Sequence, residues 1–488
     1  MNRITIDPIT RLEGHGKIDI FLNDDGTVAE TYFQIPELRG FEKFAQGRPV
    51  EELARITTRI CGVCPEAHHM ASAKAADAVY HVDPPSVAKK LRELLYSTFY
   101  VADHTVHFYI LGAPDFVVGP DAPVAERNIL GLIGKVGVDA GKRVIGVRRR
   151  AQEIIQMLGG RPIHQVTSLP GGVSRGLSEE ERAGVEEVAK DFVEFGAFTL
   201  QVVRDIVLAN QAYVDLILSE TFTQRTYNMG LVDEKNRPNF YDGVVRVVDQ
   251  DGKEVDRFPP SDYLNHIAEH VEPWTYLKYP YLKKIGWKGF EEGKESGVYR
   301  AAPLARLNVA DGMATPRAQE AYEEMFATLG GRPSNHTLAY HWARAVELQY
   351  AAERMLELAQ DPEITDPNVR VVPTETPTEG VGCVEAPRGI LYHHYKTDEK
   401  GIVREANLIV GTTNNYAPIT MSIRKAAKDL IKGNGEVSEG TLNRIEMAFR
   451  AYDPCFGCAT HALGGQRPFE IVLRRRDGTV LRTIGTAR

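Results

Sequence analysis

Arg59-Ile60-Cys61-Gly62-Val63-Cys64-Pro65-Glu66-Ala67-His68 and Asp453-Pro454-Cys455-Phe456-Gly457-Cys458-Ala459-Thr460-His461 stand near opposite ends of the chain and hold four of its five cysteines. Each is a C-x-x-C pair followed by a histidine, and the second opens with Asp-Pro. Two thiolates at this spacing reach one metal ion, and two such pairs supply four soft sulfur ligands. The chain is therefore expected to fold back and bring its ends together around a soft-metal site. Spacing alone leaves the metal open, because a four-cysteine zinc staple and an iron–sulfur cluster use the same ligand set. Two features weigh against a closed staple. Zinc ribbons are compact, whereas these pairs lie almost the whole chain apart. Arg59, His68, Asp453 and His461 also sit at short offsets from which they can orient thiolates and move protons.

The 488 residues are 43% hydrophobic and 25% charged, the proportions of a globular protein with a large core. A net charge of -8 gives no basic footprint for nucleic acid. The most apolar long stretch, Phe195 to Leu218, carries Gln201, Arg204, Asp205, Asn210, Gln211 and Asp215, too many polar groups for a membrane span. The N-terminus has no apolar signal-peptide core. Five cysteines are too few for a disulfide scaffold and fit a reducing compartment, so a cytoplasmic location is expected.

Residues 17–22 and 28–33 flank Asn23-Asp24-Asp25-Gly26 and read as a hairpin. From Glu37 onward helical patterns dominate. One run begins at Ser86 and ends near Gly112 and Pro114, and another spans Val136 to Leu158. A third opens with the capping box Ser178-Glu179-Glu180-Glu181 and is expected to reach about Leu218. Residues 225–305, rich in aromatic, Gly and Pro residues, read as a surface elaboration of short strands and loops. Helix returns over Pro316–Leu329 and Thr337–Gln360, and residues 390–410 alternate as strands around a turn at 398–401. A last helix, Ile419–Lys432, precedes the second cysteine motif. Beyond His461, two alternating stretches flank Arg476-Asp477-Gly478 as a hairpin. The expected fold is α+β and predominantly helical. A central bundle of long helices carries peripheral short antiparallel sheets, and the termini converge on the metal site.

The two cysteine motifs match, at every fixed position, the R-x-C-G-x-C-x-x-x-H and D-P-C-x-x-C-x-x-H signatures of the large, catalytic subunit of nickel–iron hydrogenases. Further stretches resemble that family in order along the chain: Arg11-Leu12-Glu13-Gly14-His15, Arg39-Gly40-Phe41-Glu42, Asp103-His104-Thr105-Val106-His107-Phe108-Tyr109, Gly159-Gly160-Arg161 through Pro170-Gly171-Gly172, and Glu385-Ala386-Pro387-Arg388-Gly389. The resemblance implies one domain over 1–461 and reversible heterolytic cleavage of H2. The centre would be nickel–iron, with carbon monoxide and cyanide on the iron. Cys61 and Cys455 would be terminal nickel ligands, and Cys64 and Cys458 would bridge the metals.

The resemblance also distributes the other roles. Glu13 would take a proton from Cys455; its plainer alternative is an ion pair with Arg11. Arg388 would hang over the open metal face, oriented by Asp103 and Asp453. His68 would donate to a bridging thiolate, and Pro387 and Thr412 would border the diatomic ligands. Glu42 and His461 would hold magnesium, with a backbone carbonyl near Tyr416. Cys383, the leftover cysteine, reads as a small buried residue.

Residues 462–488 resemble the peptide that a maturation endopeptidase removes in this family. With four cysteines committed to the centre, the chain has no ligands for an iron–sulfur cluster. The implied partners are therefore further electron-transfer subunits, led by an iron–sulfur small subunit. The Arg-Ile-Cys-Gly-Val-Cys-Pro run followed by His68-His69 resembles the cytoplasmic multisubunit branch, whose members couple to heterodisulfide reductase or to deazaflavin or nicotinamide reduction. The competing readings are a non-catalytic relative such as the quinone-site subunit of respiratory complex I, which lacks the quartet, and a zinc-stapled scaffold.

Overall fold

The structure is a computed structural model that describes residues 2–6, 11–35, 40–275, 277–433 and 437–456; residues 2–3, 470–474 and 480–485 are described as backbone alone. Cys458 and His461, and all side chains of the tail, lie outside the described residues.

Long helices form the centre. Tyr340–Gln360 is buried continuously from Trp342 to Glu353, so it is a core helix rather than a surface one. It packs against Ser86–Val106 and Glu179–Val202, and Val138–Gly159 also lies against Ser86–Val106. Ser178 caps Glu179–Val202 reciprocally: its Oγ accepts from Glu181 N at 3.2 Å, and Glu181 Oε2 accepts from Ser178 N at 3.0 Å. The helix does not run unbroken to Leu218. A π-helical segment, Val203–Leu208, unwinds it, and Asn210 then caps a separate helix, Gln211–Leu218, by accepting from Ala212 N at 3.1 Å. An asparagine that can satisfy a free helix N–H ends one helix and begins the next. A second π segment, His107–Gly112, extends Ser86–Val106 toward the metal-site elements.

The N-terminal hairpin, Lys17–Leu22 with Val28–Gln34, is joined by Asn2–Ile6 and by two tail strands, Glu470–Arg474 and Val480–Gly485. All are antiparallel, in the order Val480–Gly485, Glu470–Arg474, Asn2–Ile6, Lys17–Leu22, Val28–Gln34. Ile18, Ile20 and Leu22 turn inward at period two.

Residues 225–305 do form short strands, but they are not a surface layer. Tyr227–Val232, Val244–Val248 and Glu254–Phe258 make a sheet whose Met229, Leu231, Val245 and Val247 share a buried core with Ile390, Tyr392 and Ile409. Tyr299–Arg300 adds to this sheet in parallel, an exception to the antiparallel expectation.

Glu379–Ala386, Gly389–Thr397 and Val403–Ile409 form a three-stranded sheet, and the register Ala386↔Gly389 makes Pro387-Arg388 a two-residue hairpin turn. Gly389, at φ 130°, lies so close to the Gly411–Asn415 turn that a Cβ would stand 2.6 Å from Gly411 O. On the first strand, a Cβ on Gly382 would stand 1.9 Å from Ala71 O of the Pro65–Val79 helix. That glycine lets the hairpin carrying Arg388 rest on the helix that begins beside Cys64. Tyr416–Leu430 is followed by one more helix, Glu439–Arg450, where the sequence pattern predicts none.

Gly382→Ala is expected to push the hairpin off this helix and to lower the chain's stability to chemical denaturation by about 1–3 kcal/mol, the usual cost of overpacking. An unchanged denaturation midpoint would show that the contact tolerates a methyl group.

Candidate metal centre

Cys61 ends the short 3-10 turn Thr57–Ile60, and Cys64 is the residue before Pro65, the first residue of the following helix. The intervening turn folds the two sulfurs to one side, and Cys61 Sγ accepts from Cys64 N at 2.7 Å. Cys455, of the second pair, is brought in by the N-terminal segment. Glu13 and Cys455 pair as a parallel bridge, Phe456 N donates to Glu13 O at 3.0 Å, and the rings of Phe33 and Phe456 lie 5.2 Å apart. Cys61 Sγ and Cys455 Sγ are then 3.6 Å apart, and the sulfurs of Cys61, Cys64 and Cys455 lie within 4.8 Å of one another. Three converging soft donors are a fit for nickel or iron and not for a hard cation.

The sulfurs face a cavity of about 120 Å³, lined also by His68, Ala386, Arg388, Thr412 and Tyr416. The thiol of Cys64 is held well above its ordinary value, first by the hydrogen bond with Cys61 and then by burial. A metal taking this sulfur must displace its proton.

Cys455 Sγ lies 3.1 Å from Glu13 Oε2. The alternative partner for Glu13 is otherwise engaged. Arg11, in a left-handed conformation at φ 53°, turns away to Asp115, to Asn443 Oδ1 at 2.9 Å and to Leu111 O at 3.1 Å. Arg450 Nη1 donates to the same Asp115 at 2.7 Å. This buried cluster ties the start of the chain to its final described helix.

Arg388 crosses the cavity roof. Its Nη1 donates to Asp103 Oδ1 at 3.1 Å and its Nη2 lies 3.0 Å from Asp453 Oδ2; all three side chains are at most 4% exposed. Burial opposes the charge on Arg388, but the two carboxylates outweigh it and keep the guanidinium protonated. Burial pushes the Asp453 carboxyl up to about 7, against the pull of Arg388 and Arg344. Asp453 has φ 55°, so the backbone itself turns sharply before the second cysteine pair. Thr412 Oγ1 accepts from Cys455 N at 3.1 Å, which leaves its hydroxyl proton to give.

Two groups that hold the roof, Arg306 and Glu347, carry no local signal in the sequence. Arg306, fully buried, donates to both carboxylate oxygens of Glu347 at 2.6 and 2.7 Å, to Glu385 Oε2 at 2.8 Å and to the carbonyls of Ala386 and Pro387 at 2.7 and 3.1 Å. Its five donors therefore grip both the core helix and the turn that carries Arg388. Glu66, inside the first motif, has no role that its spacing reveals. Burial raises its carboxyl to about 8, and Gln165 Nε2 donates to it at 2.6 Å.

Glu42 lies apart from the sulfurs. Its Oε1 accepts from Leu408 N at 3.0 Å and stands 3.9 Å from Lys278 Nζ, which also pairs with Glu269 at 3.1 Å. Glu269 Oε1 is buried without a hydrogen-bond partner. Tyr416 lines the sulfur cavity, and the backbone beside Glu42 is that of Leu408.

Residues 39–127 and 143–461 match the family described as nickel-dependent hydrogenase, and residues 3–38 match a family described as HoxL-like. The chain is 52% identical over 484 residues to an F420-non-reducing hydrogenase iron-sulfur subunit of Archaeoglobus profundus, covering 99% of each chain. It is 40% identical over 478 residues to the NAD-reducing hydrogenase HoxS subunit beta of Cupriavidus necator, covering 95% of each. Its fold superposes on that of an NAD+-reducing [NiFe]-hydrogenase in the H2-reduced state with a TM-score of 0.87 and 35% identity, covering 94% of this chain and 100% of that one. Among the described residues no helix is long and apolar enough to cross a membrane. The converging cysteines, the fold and these likenesses agree: the chain belongs to the nickel-dependent hydrogenase family and is the catalytic subunit of a multisubunit enzyme.

Proposed function

We propose that Cys61, Cys64, Cys455 and Cys458 hold a nickel–iron centre whose iron carries carbon monoxide and cyanide, and that Glu13 takes onward the proton that Cys455 first receives from H2. The observation that carries this reading is the contact of Cys455 Sγ with Glu13 Oε2 at 3.1 Å, beside Cys61 Sγ at 3.6 Å. Held by these sulfurs, the centre would supply soft metal chemistry for the heterolytic cleavage of H2. The chain's own groups do the rest. The Cys455 sulfur accepts a proton, and Glu13, already within hydrogen-bond reach, passes it outward. Arg388, pinned by Asp103 and Asp453, holds a fixed positive charge over the cavity where charge separates. Pro387 in the hairpin turn and Thr412 would border the diatomic ligands, and the hydroxyl proton of Thr412 would suit a cyanide nitrogen. His68, on the cavity wall, would donate to one of the cysteine sulfurs that hold the centre.

Oxidation of one H2 gives two protons and two electrons, and the electrons need a carrier. Beyond the quartet the chain has a single cysteine, Cys383, 3% exposed among apolar neighbours. The carrier is therefore an iron–sulfur small subunit, joined by further electron-transfer subunits. For a cytoplasmic enzyme, the NAD-reducing relative supports a nicotinamide as acceptor, and the F420-non-reducing relative weighs against a deazaflavin. Glu42 holds magnesium together with His461, and the unpartnered Glu269 oxygen adds negative charge there. Residues 1–461 are one domain, with 462–488 removed by an endopeptidase; the family match ending at residue 461 supports this boundary.

Metal analysis is expected to find about one nickel and one iron per chain, with infrared bands from carbon monoxide and cyanide; zinc alone would replace the enzyme reading with a scaffold. Arg388→Lys should keep the metals and slow turnover at least tenfold, because a point charge cannot span Asp103 and Asp453 as the fork does; unchanged turnover would remove Arg388 from the chemistry. Intact mass of active enzyme should end at His461, and a mass that includes Ala462 to Arg488 would refute processing.

A further inference from the structure

Behind the sulfur cavity, four buried side chains form a hydrogen-bonded row. His68 Nδ1 lies 3.0 Å from His393 Nε2, His393 Nδ1 lies 2.6 Å from the Tyr395 hydroxyl, and that hydroxyl lies 2.9 Å from Ser72 Oγ. None is more than 1% exposed. His68 and Ser72 are one turn apart on the Pro65–Val79 helix, and His393 and Tyr395 share a face of the Gly389–Thr397 strand. The row thus spans the helix–hairpin contact that Gly382 permits. It does not lead out of the protein. Its far end meets Ser72 and Thr57, which are 0% and 2% exposed, and Thr57 Oγ1 already donates to Leu53 O at 2.8 Å. A proton cannot leave by this route as it can by Glu13, so the row must act through its fixed order.

That order follows from distances and acceptor strength. Burial, and then His68, hold His393 well below its ordinary value, so it is neutral and has one proton to place. The 2.6 Å contact is shorter than N–H donors reach and ordinary for an O–H donor. A neutral imidazole nitrogen is also a better acceptor than the hydroxyl oxygens of Ser72 or Thr57. Tyr395 O–H therefore donates to His393 Nδ1, His393 carries its proton on Nε2, and the 3.0 Å contact is Nε2–H donating to His68 Nδ1. His68 is left with its own proton on Nε2.

We propose that Ser72, Tyr395 and His393 form a one-directional hydrogen-bond chain that fixes the tautomer of His68, making its Nε2–H a permanent donor toward the cysteine sulfurs and raising the reduction potential of the centre they bind. His393 and Tyr395 are positioning residues acting through His68. The inference rests on the metal-centre reading above. Each donor polarises the next in the same sense, so the final N–H is a stronger donor than an isolated imidazole. A hydrogen bond to a metal-bound thiolate withdraws electron density and favours the reduced state.

The test uses the assembled, metal-loaded enzyme with metal content measured per chain. Infrared spectra of the iron-bound ligands and a redox titration of the nickel signal are compared for wild type, His393→Met, His393→Gln and Tyr395→Phe. His393→Met should move the carbon monoxide band to lower frequency and the midpoint to lower potential. Tyr395→Phe should move both the same way by less. His393→Gln should restore both, because an amide N–H can donate to His68 Nδ1. Unshifted bands and potentials in the Met and Phe variants overturn the inference, as does a Gln variant shifted as far as Met. If the Met variant does not load metal, Tyr395→Phe, which loses one hydroxyl, decides alone. A wild-type enzyme without these bands overturns the metal-centre reading and the role of the chain with it. Wild-type bands with unshifted variants overturn only this inference.

Discussion

Closure of the chain onto itself at Glu13 and Cys455 is the constraint on which the site depends. Cys61 and Cys455 are separated by 394 positions, yet their sulfurs stand 3.6 Å apart. Loop-closure entropy grows only as the logarithm of loop length, so distance in sequence is not the main cost. The demand is for contacts that hold the two segments in register. The Glu13–Cys455 bridge and the Phe456-to-Glu13 hydrogen bond set that register, and Arg11 and Arg450 converge on Asp115 behind it. The same closure places the Glu13 carboxyl against the sulfur.

The second constraint is charge in a dry interior. Arg306, Glu347, Glu385, His104, Asp103, Arg388 and Asp453 are held with almost no exposure. A buried pair of this kind contributes little net stability, since desolvation cancels much of the attraction. Removing one partner, however, leaves the other charge uncompensated, at a cost of roughly 3–5 kcal/mol. The network therefore penalises any conformation in which the Pro387-Arg388 turn shifts. Arg306 performs this by holding the carbonyls of Ala386 and Pro387, and Asn415 Nδ2 donates to Arg388 O at 2.8 Å. The result is a guanidinium whose position is set by the scaffold's own residues.

Local signals in the sequence suffice where one short pattern decides. The capping box at Ser178 starts its helix where the pattern places it, and the strands at Lys17–Leu22 and Val28–Gln34 follow their alternation. Failures occur where two local preferences compete. Asn210 interrupts an apolar run because its side chain satisfies a helix N–H, and the Glu379–Ala386 strand hides in a glycine-rich stretch whose glycines serve close approach to a helix. The strands of 225–305 read as peripheral because their composition is polar and aromatic, but their inward faces close the core under the hairpin.

What the sequence determined by itself is the set of motifs that mark the site: two C-x-x-C pairs with their histidines, the Glu13 segment and the Pro387-Arg388-Gly389 turn are contiguous patterns, and contiguity is what a chain records directly. Tertiary structure alone decided which groups pack behind those motifs. Arg306, Glu347 and the His393–Tyr395 pair come from three separate elements, and no spacing rule links those elements, because their contacts depend on distances between surfaces that meet only after packing. Whether Glu13 faced Arg11 or Cys455 was likewise undetermined along the chain; it was settled when Asp115 and Asn443 drew Arg11 to the other side.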